Sequence, residues 1–434
     1  MEPGDQPIIA AMSQRFDPAT PIPGAPDPWS WAPLPVDRGG PPYFMTEMIA
    51  AEPAFAERCL TRMATDGSAD RLASELRAAV VGGAPVVIVG CGTSEHGALG
   101  ATEILRAAWR QAGLPGAGPV SAQAFEAALD PQAGGLCIAI SHDGATWATS
   151  RALEAARAAG ARTALITASG RAPAAAGVDV VIETVERDTS YCHTVGYLSP
   201  LLAAAAVGAR LTGQALDGTT VRGVLRAGIA AAMGEAPMLA GATVPATGGA
   251  TAMDRSVAGQ VPAADIAGNL AESRTILVIA SGSDRPAARE LVLKIEEGSW
   301  IPAAMRDLET FLHGHLPSTG ASTGLIVILT ERAARADRVA RTRQALEAAA
   351  VIGLRTAAIL AEGVSAELAR ELTPAGRIVV PDAASLPGAV AALLSSATPL
   401  QLIAEQLAVT RGTNPDLIRR SDQRYGDAAA RVEG

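Results

Sequence analysis

Aromatic residues are scarce in this chain. Phe, Trp and Tyr together make up 3% of its 434 residues, although 49% are apolar. The core must therefore be built from Ala, Val, Leu and Ile. Long apolar runs are missing too: the richest, Leu201 to Val207, is soon broken by Gly208 and Arg210, too short to span a bilayer. No basic start followed by an apolar stretch marks a signal peptide, so a cytoplasmic location without membrane partners is expected. Formal net charge is −9 with no basic run, which argues against a nucleic-acid partner. Cys59, Cys91, Cys137 and Cys192 are far apart, lack metal-ligand spacing and read as reduced thiols. Lysine is almost absent. Of 35 Lys plus Arg, 34 are arginine and one, Lys294, is lysine. A solvated surface charge tolerates exchange of lysine for arginine, whereas a site that needs a compact ammonium does not.

What is present falls into two halves. The first 42 residues hold 11 of the 29 prolines, show no helical or strand period, and read as an irregular arm laid over a neighbouring subunit. Helices are expected at Phe44–Met63 and Ala69–Val80. Short apolar runs then alternate with helices. Strands are expected at 86–89, 136–140, 163–167 and 178–183, and helices at 95–111, 146–159, 198–211 and 221–239. Residues 241–272 read as a connection. The alternation resumes with strands at 275–280, 325–329, 355–359 and 377–380, and with helices at 286–297, 332–350 and 397–411. Such alternation indicates a parallel sheet covered on both faces. The expected fold is α/β, with a first domain over 43–240 and a second over 273–434.

Ligands of doubly wound sheets bind beyond the carboxyl ends of the strands, where loops meet helix N-termini. Two loops there combine glycine, hydroxyls and free N–H groups. They are Gly90-Cys91-Gly92-Thr93-Ser94 and Ser141-His142-Asp143-Gly144-Ala145-Thr146, and both suit an anion. Simple N-capping by Ser, Thr and Asp is the plainer explanation for either loop alone. In the second half, Leu293-Lys294-Ile295-Glu296-Glu297-Gly298 places Lys294 and Glu297 three apart on one helix face, with the helix stopping at Gly298 so that both face the loops. A carboxylate base beside a lysine suits proton transfer between adjacent sugar carbons. His313 is the candidate for opening the sugar ring. No metal or cofactor is expected.

Val86 to Ser94, Ser141 to Thr146, Leu293 to Trp300 and His313-Gly314 together resemble the tandem sugar isomerase (SIS) domain family. The form resembled is the isomerase half of the glutamine–fructose-6-phosphate aminotransferases, over Tyr43 to Arg424. The resemblance implies two tandem SIS domains, each a doubly wound, flavodoxin-like parallel sheet flanked by helices. It implies that Cys91, Gly92, Thr93, Ser94, Ser141, His142, Asp143 and Thr146 line the sugar and its anionic tail. Glu297 would shuttle the C1–C2 proton beside Lys294. His313 would arrive from a second subunit, in a homodimer with a shared active site and a small-molecule sugar substrate. Several positions depart from the family. His142 stands for glutamine, Asp143 for a phosphate-binding serine, and Val195 and Leu312 for two lysines. The family's C-terminal lysine is missing, and Ser281-Gly-Ser-Asp284 replaces a Gly-Arg-Gly-type loop. Met1-Glu2 offers no cysteine nucleophile, so glutamine-dependent amination is not expected. The implied activity is an aldose–ketose isomerase on a sugar phosphate or another anionic or amino sugar, with amino-sugar deamination a close variant. A non-catalytic sugar-binding regulator is the rival.

Overall fold

The computed structural model describes residues 16–26, 29, 34–235 and 261–432. Residues 241–260 of the expected connection, the end of the helix expected at 221–239 and much of the proline-rich arm lie outside the described residues. In chain order the first half comprises α1 (Phe44–Thr65), α2 (Ser68–Val81), β1 (Val86–Gly90), α3 (Thr93–Gln111), β2 (Val120–Gln123), α4 (Ala124–Leu129), β3 (Leu136–Ile140), α5 (Trp147–Ala158), β4 (Arg162–Thr167), β5 (Val180–Glu183), α6 (Val195–Thr212) and α7 (Gly218–Met233). The second comprises α8 (Pro262–Leu270), β6 (Thr275–Ala280), α9 (Arg285–Ser299), β7 (Ala303–Asp307), the single turn α10 (Leu308–Thr310), β8 (Thr323–Leu329), α11 (Arg335–Ile352), β9 (Arg355–Ala361), the short α12 (Glu362–Ser365), β10 (Gly376–Val380), α13 (Gly388–Arg411) and α14 (Gln423–Val432).

The strand order is β2-β1-β3-β4-β5 in one sheet and β10-β9-β8-β6-β7 in the other. Every pairing is parallel. Numbered within its own half, each sheet runs 2-1-3-4-5, the expected doubly wound arrangement. The central strands β1, β3 and β8 are buried along their whole length, as continuous apolar runs require. The second strand of each half, β2 and β7, escapes the sequence pattern for a physical reason. Both are edge strands, and unlike the edge strands β5 and β10 they have no fully buried residue in Val-Ser-Ala-Gln or Ala-Ala-Met-Arg-Asp.

Three expectations need correction. Residues 262–270, placed in the connection, form α8, whose Ala263, Ile266, Ala267 and Leu270 sit in the main core. The described part of the arm lies against its own chain, because Ile22 N–H donates to Glu186 at 2.8 Å and Arg187 N–H to the Pro23 carbonyl at 3.1 Å. Finally, α9 does not stop at Gly298. Trp300 takes the left-handed turn instead, at φ 60°, with the Arg419 guanidinium 4.6 Å over its ring.

The two halves share one core, and α13 joins them. It begins nine residues before the expected start, and 94% of its most apolar window is buried. Gln401 on α13 donates to Glu52 of α1 at 2.8 Å, and Thr398 to the Leu225 carbonyl of α7 at 3.2 Å. Both α6 and α13 are long and apolar enough to cross a membrane by composition, but each is packed mostly inside the protein. Small residues make this packing close. A Cβ on Gly97 or Gly100 of α3 would lie 2.6 Å from Pro200 or 2.4 Å from Leu201 of α6.

The C-terminal segment closes the structure over α1. Asp416 accepts the first two amide groups of that helix, from Phe44 at 2.7 Å and Met45 at 2.8 Å, a capping role filled from the far end of the chain. Asp416→Ala is expected to destabilise the protein by about 2 kcal/mol, the upper range for a lost helix cap. Urea unfolding reads this, and an unchanged midpoint would show that the cap is dispensable.

Candidate active site

The site is built where α3 of the first half meets α9 of the second. Gly90 ends β1 with no room for a side chain, since a Cβ there would lie 2.3 Å from the Ser94 carbonyl oxygen. Gly92 follows at φ +55° and lets the chain turn straight into α3. This sets Thr93 and His96 on the first turn of α3, facing α9.

Lys294 projects from α9 into that contact and is fully buried. Its ammonium donates to Glu297 at 2.7 Å and to the Thr93 hydroxyl at 3.0 Å, and lies 3.4 Å from Glu290. Three donors therefore meet three oxygens, one from the other half of the protein. Burial alone would lower the Lys294 pKa, but the charges of Glu290 and Glu297 outweigh it and raise it. Glu290 is also fully buried. Its pKa is lowered because Lys294 and His96 overcome the effect of burial. The His96 Nδ1 lies 2.8 Å from the second Glu290 oxygen. Lys294 thus does not face the loops, whereas the Glu297 side chain keeps 22% of its surface exposed. Cys192 is also buried, and burial raises its thiol pKa strongly.

The β3 loop forms the other wall. Ser141 Oγ lies 3.3 Å from Thr146 Oγ1 and accepts the Gly144 N–H at 3.1 Å. His142 Nε2 accepts the Asp188 N–H at 2.9 Å, so that nitrogen carries no proton. Burial pushes the His142 pKa down to about 4 and keeps the ring neutral at pH 7. Its Nδ1 has no hydrogen-bond partner among the described residues. Asp143 pairs with Arg187 at 3.3 Å. Asp188, also buried, accepts the amides of Ser190, Thr194 and Gly196, and its pKa is lowered by His193 and these amides against the effect of burial. Its charge raises the His193 pKa although burial works the other way.

Of the residues singled out from sequence, Lys294, Glu297 and Thr93 come together, and Thr93 turns to Lys294 rather than to open space. Cys91 is half-buried, with Gln123 donating to its sulfur at 3.7 Å. Ser94 is half-buried and Gly92 exposed at the loop surface. His313 stands apart from the cluster. It lies on a kinked π-helical turn with 68% of its side chain exposed, 2.7 Å from Glu309 and 3.2 Å from Arg341. Glu290 is the additional residue that helix spacing can show, four residues before Lys294 on one helix face. His96, on the first turn of α3, has no local pattern that ties it to Glu290, 194 residues later. Arg187 and Asp188 lie in an irregular stretch with no period to reveal them.

The equivalent loops of the second half are filled by the protein's own carboxylates. Asp284 accepts the amides of Thr330 at 2.8 Å and Glu331 at 2.9 Å. Glu331 in turn accepts those of Ala333 at 2.8 Å and Ser283 at 3.3 Å. Burial pushes the Asp284 pKa up to about 6. Among the described residues, no three His, Cys, Asp or Glu side chains are grouped so that they could hold a metal ion.

Removing the ammonium leaves a buried carboxylate uncompensated, so Lys294→Met is expected to destabilise the protein by about 3–5 kcal/mol. Lys294→Arg should also fail to restore stability, because a planar guanidinium cannot reproduce three tetrahedral donors; denaturant titration of both variants checks this. His142 makes the protein acid-sensitive. Between about pH 6.5, where an unfolded histidine takes up its proton, and about pH 4, where native His142 does so, the unfolded chain binds more protons. Stability therefore falls as pH falls through that window. His142→Gln should remove about 3 kcal/mol of that loss, read as the difference between urea midpoints at the two ends. An equal loss in both proteins would refute the assignment.

Residues 269–354 match the SIS domain family. No curated protein matches the sequence. Among solved structures, the C-terminal domain of glucosamine-fructose-6-phosphate aminotransferase from Francisella tularensis superposes with a TM-score of 0.69 at 16% identity, covering 88% of this chain and 99% of that one. Tagatose-6-phosphate ketose/aldose isomerase from Escherichia coli gives 0.62 at 16% identity, covering 88% and 97%. Glucosamine-6-phosphate deaminase from Thermotoga maritima gives 0.54 at 17% identity, covering 82% and 96%. At these identities the likeness is one of fold. The match to the SIS family covers residues 269–354, and the two equivalent sheets give the chain the fold of these solved structures.

Proposed function

We propose that this chain is an aldose–ketose isomerase that moves a proton between C1 and C2 of a sugar through the Glu297 carboxylate. The observation that carries this reading is the Lys294 site. A fully buried ammonium 2.7 Å from a carboxylate that stays partly open keeps that carboxylate oriented while part of its surface remains accessible. Glu297 takes the proton from C2 of the open-chain aldose, which leaves an enediolate. Lys294 holds the Glu297 carboxylate in place through both steps. Glu297 then returns the proton to C1, and the oxygen-bound proton passes from O2 to O1. When an amine stands at the reacting carbon, the same transfer gives an imine that water can cleave with loss of ammonia.

His313 of the partner subunit is proposed to open the ring, which makes the working form a homodimer with shared sites. Its exposed position and its distance from the cluster within one chain support this arrangement. The sugar-phosphate enzymes that share the fold are consistent with the same chemistry class.

In deuterium oxide, wild-type protein should exchange the C2 hydrogen of its sugar. Glu297→Gln is expected to slow this by about 10²–10⁴-fold, the usual worth of a positioned base. Undiminished exchange in the variant would sink the mechanism, and a wild type that binds sugar without exchange would be a sugar-binding regulator.

A further inference from the structure

We propose that a cleft between the two halves is a second binding site, which holds a small phosphate-bearing ligand between Arg106 of α3 and Arg289 of α9. The cleft has a volume of about 280 Å³ and is lined by α3, by β2 and by the first turns of α9. None of the residues assigned to the isomerase reaction lines it, so the site stands apart from the isomerase reading above.

The polar lining is dominated by guanidinium groups. Arg106, Arg285 and Arg289 all contribute to it, in a chain whose net charge is −9. Arg285 is already engaged, donating to Asp307 at 3.2 Å. Arg106 and Arg289 have no ion partner among the described residues, and the Nε of half-buried Arg106 is shut off from solvent with no acceptor. Buried N–H groups are nearly always paired, so an open one at the wall of a cleft marks a place for an acceptor. Glu103 is the carboxylate in the lining, and it pairs with neither arginine. The Ser121 hydroxyl of β2 lines the same space. Arg285 also opens α9, so the positive end of a 15-residue helix lies at the rim.

Two uncommitted guanidiniums against one carboxylate favour an anion. A phosphate group suits them, because its oxygens can take a bidentate pair from one guanidinium and a further bond from the other. The volume is just below the range of about 300–1,000 Å³ that encloses drug-sized ligands, which leaves room for a phosphate with a short carbon chain or for the free ion. Position gives the site a consequence. Arg106 lies about three turns beyond His96 on α3, and Arg289 directly precedes Glu290 on α9. A ligand that grips both arginines clamps the same α3–α9 contact that Lys294 and His96 make, and so stabilises the docked halves.

Calorimetric and thermal titration of the full chain with inorganic phosphate and with glycerol 3-phosphate, in chloride buffer, tests this. Both probes should bind wild-type protein and raise its Tm. Arg106→Gln and Arg289→Gln should each weaken binding by about tenfold or more, the effect of a lost charge-assisted hydrogen bond. Arg289 is exposed, so its variant keeps the fold even if Arg106→Gln does not. Tighter binding of glycerol 3-phosphate identifies a phosphate ester as the occupant and tighter binding of inorganic phosphate the free ion, and either supports the site. Equal affinities in wild type and Arg289→Gln overturn it, because the phosphate then sits elsewhere. A wild type that binds neither probe at millimolar concentration overturns it too. C2 exchange in phosphate-free buffer, unchanged in Arg289→Gln, separates this result from the isomerase reading, which fails only if the wild type shows no exchange.

Discussion

A buried ammonium without partners costs several kcal/mol, and Lys294 is tolerated because two halves of the protein meet around it. Glu290 and Glu297 come from its own helix, but the third acceptor is Thr93, on the first turn of α3. The charge can therefore be satisfied only when the halves are docked. That dependence runs both ways. Docking orients Glu297, and the ion cluster sets the register of α3 against α9. Lysine is required because a compact ammonium directs its hydrogens to three corners, whereas a guanidinium is flat and longer. In a chain that uses arginine almost everywhere else, this geometry gives the one lysine a structural reason to be there.

The packing that brings α3 and α9 together is made from small side chains. Glycine at 97 and 100 lets α3 sit directly on α6, and the buried α13 runs between the halves with polar contacts to α1 and α7. An alanine-rich core of this kind has little aromatic bulk to fill gaps, so close backbone approach does that work. The Asp416 cap on α1 and the Thr413 hydroxyl, which donates at 2.6 Å to the Gly298 carbonyl near the end of α9, tie the C-terminal segment to the same assembly.

The two halves have the same topology and opposite electrostatic fates. In the second, Asp284 and Glu331 accept the loop amides that would otherwise meet a ligand. In the first, Asp143 sits at the rim, paired with Arg187 and still partly open. One half is filled by its own carboxylates and serves as a scaffold for α9. The other keeps partly exposed polar side chains, to which α9 adds Glu297.

Much of this was legible in the sequence, for identifiable reasons. The six central strands appear as apolar runs, and the edge strands β5 and β10 still carry short apolar stretches, so eight of the ten strands are legible from that signal. The edge strands β2 and β7 carry no such run because none of their residues is fully buried. The pairing of Lys294 with Glu297 followed from helix spacing, which is local. Spacing could not reveal that Thr93, 201 residues earlier, is the third acceptor, because only tertiary contact brings it there. The same holds for Arg187 beside Asp143, and for His96 beside Glu290. Charge and spacing along the chain determined which side chains could do chemistry. Burial and long-range contact, which depend on how the halves pack, decided which of them share a site and what charge each one carries there.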